Sequence, residues 1–276
     1  MMQFLIQKIG GKVTFDFGFE LIQAIEYNNW KNQNRHMQYA YGTLEELGET
    51  IQVIGSDFIP VGSIEFVMEY ARQLFHERGK DITPLFRPLN VPRKFLRSPD
   101  SAWCLEGTVE SVYEELLMDG LDTERLFVKS MERLKDERNG LFPSGLQVLD
   151  KFSLGETVQV RRELNIKSEW RCFVTGDELL GCQWYSGDFL EFPDRGEVRR
   201  LVDDWIGTRS YGAYPTTGTL DLAVIVDFDR VPSTRLIVLE AHEFYSCGLY
   251  GFSDYSKLPY MFYRAWKTIL ERGNSL

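Results

Sequence analysis

Apolar residues along this chain follow two periodicities, and the change from one to the other divides it. Early on the clear signal is helical. Ile64, Val67, Met68, Ala71, Leu74 and Phe75 recur at spacings of three and four, Ser63 stands at the N-cap, and Gly79 follows, which predicts a helix over 64–78. A shorter amphipathic run predicts a helix over 19–27, and apolar runs predict strands over 2–6 and 51–54. These make a small α/β unit.

Four prolines (Pro84, Pro88, Pro92 and Pro99) then interrupt the pattern, so 82–99 reads as a connector and a domain boundary falls near residue 92. Beyond it, Thr108 caps a helix over 108–118 with Val109, Val112, Leu116 and Leu117 on one face and Gly120 as its stop. The period then drops to two. Strands are predicted over 124–129, 157–164, 169–175, 178–185, 220–227 and 235–240, with Thr175-Gly176-Asp177-Glu178 as a hairpin turn. Two helices complete the pattern. One covers 197–206 (Val198, Leu201, Val202 and Trp205), and the other covers 259–271 (Phe262, Ala265, Trp266, Ile269 and Leu270). The fold class is α+β or α/β, with a mixed, mostly antiparallel sheet and helices on one side.

Composition narrows the function. The 276 residues are 43% hydrophobic and 26% charged, ordinary for a soluble globular protein. A net charge of -10 argues against general nucleic-acid or membrane-surface binding, which needs excess Lys and Arg. No apolar run approaches the ~20 residues of a membrane helix, and residues 1–6 lack a signal-peptide pattern. The four cysteines form no CxxC pair, so they read as reduced thiols of a cytoplasmic protein; Cys172 and Cys182 could face each other on paired strands. Aromatics are abundant from Phe244 to Trp266 and read as core or groove wall.

The chemistry lies in the strands. Lys129 ends an apolar run, Leu126-Phe127-Val128, and the segment 130–145 after it carries Lys135, Arg138, Asn139, Gly140 and Gly145, as a mobile cationic lid would. Neither GxxxxGK[ST] nor GxGxxG is present. The run 157–164 is either an edge strand with a solvated face or a hinge strand whose backbone reads a base, with Arg161 or Glu163 turned into a cleft. Arg171 lies among Trp170, Phe173 and Val174. Burial there demands a phosphate or a carboxylate, with Glu169 or Glu163 as the structural partner. Asp221 and Glu240 each sit in leucine- and β-branched-rich runs, where carboxylates need cations, and His242 follows Glu240 on the same face. Cation, cation, carboxylate, carboxylate is the order required by a site for a metal-bound nucleoside triphosphate.

These residues together resemble the ATP-grasp superfamily. The stretch Glu169-Trp170-Arg171-Cys172-Phe173-Val174 through Gly181 is similar to the arginine hairpin of ribosomal-protein glutamate ligases and of the eukaryotic assembly factor of translation initiation factor two. The bacterial and phage branch named for two arginines and a lysine is more similar. It shows Glu-x-Arg-x-Phe-Val, a later Asp strand, and a Glu-x-Asn ending before Gly-Leu-Tyr-Gly. Here these are Glu240-Ala241-His242-Glu243 and Gly248-Leu249-Tyr250-Gly251, and 59–66 also resembles that branch.

The resemblance implies an ATP-grasp fold with an N-terminal pre-ATP-grasp domain (1–92) and an ATP-grasp domain (93–276), the latter split into a lid and central part (93–160) and a catalytic part (161–276). It implies that Lys129 contacts the α- and β-phosphates, with Lys135 adding a contact from the lid. Arg161 would be the hinge-strand arginine beside Glu163, and Arg171 would bind the γ-phosphate and then an acyl-phosphate. Asp221 and Glu240 would hold magnesium, with His242 in the place of an asparagine oxygen. Imidazole suits manganese or zinc better, so either the two carboxylates hold the metal alone, or Glu243 helps, or the metal preference has moved. Arg93 or Arg97 would match an early basic residue. The implied activity is an ATP-dependent carboxylate–amine ligase whose acid and amine are small molecules, peptides or proteins. The alternative is an ATP-binding assembly factor without turnover.

Overall fold

The computed structural model describes residues 1–33, 36–76, 79–208, 217–227 and 233–275. Its first layer alternates strand and helix: β1 (Met2–Gln7), α1 (Asp16–Lys31), β2 (Met37–Gly42), α2 (Leu47–Ile54), β3 (Ile59–Val61) and α3 (Ile64–His76). The strands form a parallel sheet in the order β2-β1-β3. α3 starts as its sequence demands, with Ser63 Oγ accepting from the Phe66 amide at 3.2 Å. The strand expected over 51–54 is instead the last turn of α2. Leu47, Ile51 and Ile54 share a helical face, whereas Val53, which strand alternation would have buried, is 84% exposed.

The prolines of 82–99 do not make a loose tether. Short 3-10 turns at Thr83–Phe86, Arg93–Phe95 and Pro99–Ser101 bury Phe86, Val91 and Phe95. Asn90 and Val91 are tied in by side-chain bonds to Ser130 and Gln159.

A second sheet follows. Its elements are β4 (Cys104–Thr108), α4 (Val109–Met118), β5 (Leu126–Ser130), β6 (Gly140–Phe142), α5 (Gly145–Leu149) and β7 (Thr157–Arg162), and its antiparallel order is β4-β7-β5-β6. Thr108 caps α4 by accepting from Ser111 at 3.2 Å.

The third sheet joins β8 (Ile166–Thr175), β9 (Glu178–Gly187), β10 (Thr217–Asp227) and β11 (Ser233–Glu243) in the order β11-β10-β8-β9, all antiparallel. Gly176, at φ +56°, turns β8 into β9. α6 (Arg195–Thr208) covers one face with Val198, Leu201, Val202 and Trp205, which pack on Cys172, Val174, Leu220 and Leu222. The closing helix α7 (Leu258–Ser275) returns to the first sheet, and its Met261, Phe262, Ala265, Trp266 and Ile269 complete the core around Phe4, Phe66 and Tyr70. Among the described residues, no helix is long and apolar enough to cross a membrane.

Candidate functional site

Strand register builds the site. Arg171 on β8 lies opposite Asp221 on β10, and Asp221 lies opposite Glu240 on β11. One transverse row of the third sheet therefore carries a cation between a carboxylate on one side and Gln183 of β9 on the other. Lys129 enters from β5 of the second sheet and pairs with Glu240. Asp221, fully buried, accepts from Arg171 Nε at 2.8 Å and from Nη2 at 2.7 Å. Neither Glu169 nor Glu163, the partners expected from sequence, meets Arg171. Direct cross-strand neighbours stand closer than residues two apart on one strand, so Asp221 takes the guanidinium.

His242 completes the cluster. Its Nε2 lies 3.1 Å from Glu240 Oε1 and 3.5 Å from Asp221 Oδ2, and it is buried without hydrogen-bond alignment to either. Donor atoms of Asp221, Glu240 and His242 all fall within 4.8 Å of one another. This set fits a divalent cation, and its nitrogen moves the preference away from magnesium toward softer ions. Glu243 is not part of it, because the side chain runs to Arg272 of α7 and burial lifts its carboxyl despite that cation.

The electrostatics follow from close packing of opposite charges. Burial works against ionisation of Asp221 and Glu240, yet Arg171 and His242 hold the first below the usual carboxylate range, and His242 and Lys129 hold the second well below it. Burial also opposes the charge on His242, but the two carboxylates outweigh it and lift the imidazole to about 9.

A cleft of about 440 Å³ opens beside Lys129 and Glu240. Phe127, Leu141, Leu164, Ile166 and Leu239 give it apolar walls, and Arg161 lies at its base. Arg161 is buried over the Phe127 ring, and its nearest acceptor is the Leu239 carbonyl at 3.5 Å. Leu239 is free to turn that carbonyl because the register slips beside it, between Asp221 and Leu222. Burial lowers the Arg161 pKa, opposed from a distance by Cys104, Glu240 and Glu169. A buried guanidinium without a carboxylate on it is a place for an anion.

The remaining expected residues sit further out. Glu163 lines the cleft mouth, exposed and paired with Arg125 at 2.9 Å. Lys135 is exposed, at φ +50°, and its charge is felt by Glu65 of α3 rather than by the carboxylate cluster. Arg138 of the same segment is held by Asp136 and Glu156. Arg97 pairs with Glu115, and Arg93 faces Glu106, so neither joins the row.

Two tyrosines escaped the sequence reading. Tyr185 sits at a register slip in β9, where its hydroxyl donates to Glu169 at 2.9 Å, and Tyr250 stacks on it at 5.0 Å between ring centres. The Arg171 guanidinium lies against both rings, 5.5 and 5.1 Å from their centres. Alternation could not find Tyr185, because a bulge reverses which side chains share a face.

Two sheets closing on a charged cleft, preceded by a strand–helix layer, define an ATP-grasp fold, as the sequence led us to expect. Solved structures agree at the level of fold. D-alanine–D-alanine ligase from Bacillus anthracis aligns at 14% identity with a TM-score of 0.55, over 100% of this chain and 99% of that one. D-cycloserine synthetase DcsG aligns at 12% and 0.58, over 96% and 99%. A RimK domain ATP-grasp protein from Sphaerobacter thermophilus aligns at 12% and 0.50, over 98% and 100%. No curated protein matches the chain. Residues 109–258, more than half of it, match the model of an ATP-grasp domain family, the second family of the clade named for two arginines and a lysine, and the chain belongs to that family.

Proposed function

We propose that this chain is an ATP- and magnesium-dependent carboxylate–amine ligase that works through an acyl-phosphate. One observation carries the reading: Lys129, Arg171, Asp221, Glu240 and His242, delivered by four strands of two sheets, converge beside a cleft with apolar walls and a buried arginine. The apolar slot between Phe127, Leu164 and Leu239 suits a nucleobase, and the cations suit phosphates.

In this reading Arg161 and Lys129 hold the phosphate chain, Glu163 borders the base and ribose, and Lys135 comes down with the lid. Arg171 holds the γ-phosphate. A substrate carboxylate oxygen attacks that phosphorus, ADP leaves, and Arg171 keeps the acyl-phosphate in place. The amine then attacks the carbonyl, phosphate departs, and the amine nitrogen loses a proton. Asp221, Glu240 and His242 would hold the divalent cation, with manganese as the alternative. When bound, it supplies neutralisation of the developing charge. Residues 1–92 would act as the pre-ATP-grasp domain, and 93–276 as the nucleotide-binding domain.

The test is release of ADP and phosphate with acid and amine pairs offered together and singly, with Lys129→Ala as the control. ADP release that needs both substrates and falls at least a hundredfold in that variant supports a ligase. A second reading, a nucleotide-binding assembly factor, draws on His242 as a cation between both carboxylates, where it competes with a metal. Tight ATP binding with no ADP release under any pairing would favour it.

A further inference from the structure

On the face of β8 and β9 turned away from Arg171, Cys172 and Cys182 are direct register partners, with their sulfurs 3.4 Å apart. Cys172 is fully buried beneath α6, whereas Cys182 lies on the edge strand and is partly exposed. The Cys172 thiol donates to the Cys182 sulfur, so the reachable sulfur is also the one with its lone pairs engaged by a proton donor. Cys104 and Cys247 are both buried, and burial raises each of their thiols to about 12, although Arg161 and Arg171 respectively oppose it. Directly opposed residues on antiparallel strands have Cα atoms about 4.5–5.5 Å apart, inside the ~4.4–6.8 Å span of a disulfide. Closure therefore needs a rotation of two side chains and no change of register.

We propose that Cys172 and Cys182 form a reversible oxidation site in which a hydroperoxide oxidises Cys182 and Cys172 then closes a disulfide across the β8–β9 hairpin. In the first step the Cys182 thiolate attacks a peroxide oxygen and the O–O bond breaks. The leaving hydroxide takes a proton to become water, and the sulfur, oxidised by two electrons, becomes a sulfenic acid. In the second step the Cys172 sulfur attacks it, the S–O bond breaks, and a second water carries off the Cys172 proton. Two thiols and one hydrogen peroxide thus give one disulfide and two waters, and a dithiol reductant returns the electrons. The link would fix β8, which bears Arg171, to β9, which bears Tyr185, on the face opposite both.

The experiment is a titration of the full chain with hydrogen peroxide, up to a dose that oxidises free glutathione, followed by denaturation with alkylation. The expected product has lost two hydrogens and two alkylatable thiols. After cleavage on the C-terminal side of Glu178, the peptides carrying Cys172 and Cys182 should stay joined until a reductant separates them. In Cys172→Ala the reaction should stop at a sulfenic acid on Cys182 that a carbon nucleophile traps. The proposal is overturned if the two peptides separate without reductant. It is equally overturned if Cys182 accumulates as a sulfinic acid while Cys172 remains alkylatable, or if both thiols stay free. The wild-type protein alone decides between these outcomes.

Discussion

Replacing Arg171 by methionine keeps the aliphatic stem and deletes the guanidinium. Asp221 is 0% exposed, and both its oxygens accept from Arg171. Without that partner the carboxylate keeps only the Tyr185 hydroxyl at 3.4 Å and His242 Nε2 at 3.5 Å. Removing one member of a buried ion pair costs about 3–5 kcal/mol. Since His242 is raised to about 9, it stays cationic at pH 7 and softens the loss, so the expected cost is near the lower end, about 3 kcal/mol. The partner variant Asp221→Asn should cost less, about 1–3 kcal/mol, because Arg171 retains the Gly248 carbonyl and two tyrosine rings. The double variant Arg171→Met/Asp221→Leu removes both charges and should return to within about 1 kcal/mol of wild type. Urea unfolding of all four proteins, with midpoints compared at equal m-values, measures these differences and their coupling. If Arg171→Met costs less than about 1 kcal/mol, or if the double variant is as unstable as that single one, the pair is not an interdependent buried unit. This also bears on kinetics: a loss of activity in Arg171→Met counts against transition-state binding only once the variant is shown folded at the assay temperature.

Three further outcomes are expected. His242 is raised from 6.5 to about 9, so its contribution to the ligand-free protein is complete below pH 6.5 and lost as pH rises through 9; thermal melts should show that loss in wild type and not in His242→Asn. For the same reason manganese must displace a proton from His242, so calorimetric affinity should rise with pH up to about 9, by about tenfold per unit at the steepest, and a flat profile would take His242 out of the ligand set. Gly273→Ala should destabilise the fold by about 1–3 kcal/mol in denaturant melts, since a Cβ there would stand 2.3 Å from the Phe75 ring.

Legibility from sequence depended on how local each constraint was. α3 and α4 were readable because their apolar stripes and their caps, Ser63 and Thr108, lie within a few residues of one another. The β8–β9 hairpin was readable because Gly176 can take a positive φ. β2 went unseen, since Gln38 and Tyr41 face solvent while only Met37 and Gly42 are buried, which leaves no alternation to detect. Of the site, Lys129, Arg171, Asp221 and Glu240 stood out as charges in apolar runs, and the structure does bring them together. What sequence could not give was the pairing. That Arg171 meets Asp221 rather than Glu169 is a matter of register between strands some fifty residues apart, and register is set by the whole sheet. Tyr185 and Leu239 were hidden for the related reason that register slips beside them invert the parity on which the reading relied.

The charge arithmetic of the row limits how it can take up ligands. Each cation in it already has an anion: Lys129 has Glu240, and Arg171 has Asp221. A metal ion arriving alone would take the carboxylates and leave two cations unpaired; a nucleotide arriving alone would take the cations and leave two carboxylates unpaired. Either half-step strands partly buried charge, which is costly, whereas the metal–nucleotide complex replaces both sets of partners at once. Affinity for manganese and for ATP should therefore be coupled, each raising the other by the same factor, of the order of ten- to a hundredfold, in calorimetric titrations done with the two ligands separately and together. Arg161 stands outside this exchange, since it has no carboxylate to give up. Arg161→Ala should thus weaken metal-free ATP more than it weakens the coupling. Independent binding of metal and nucleotide would mean that the pairs in the row do not open when ligand arrives.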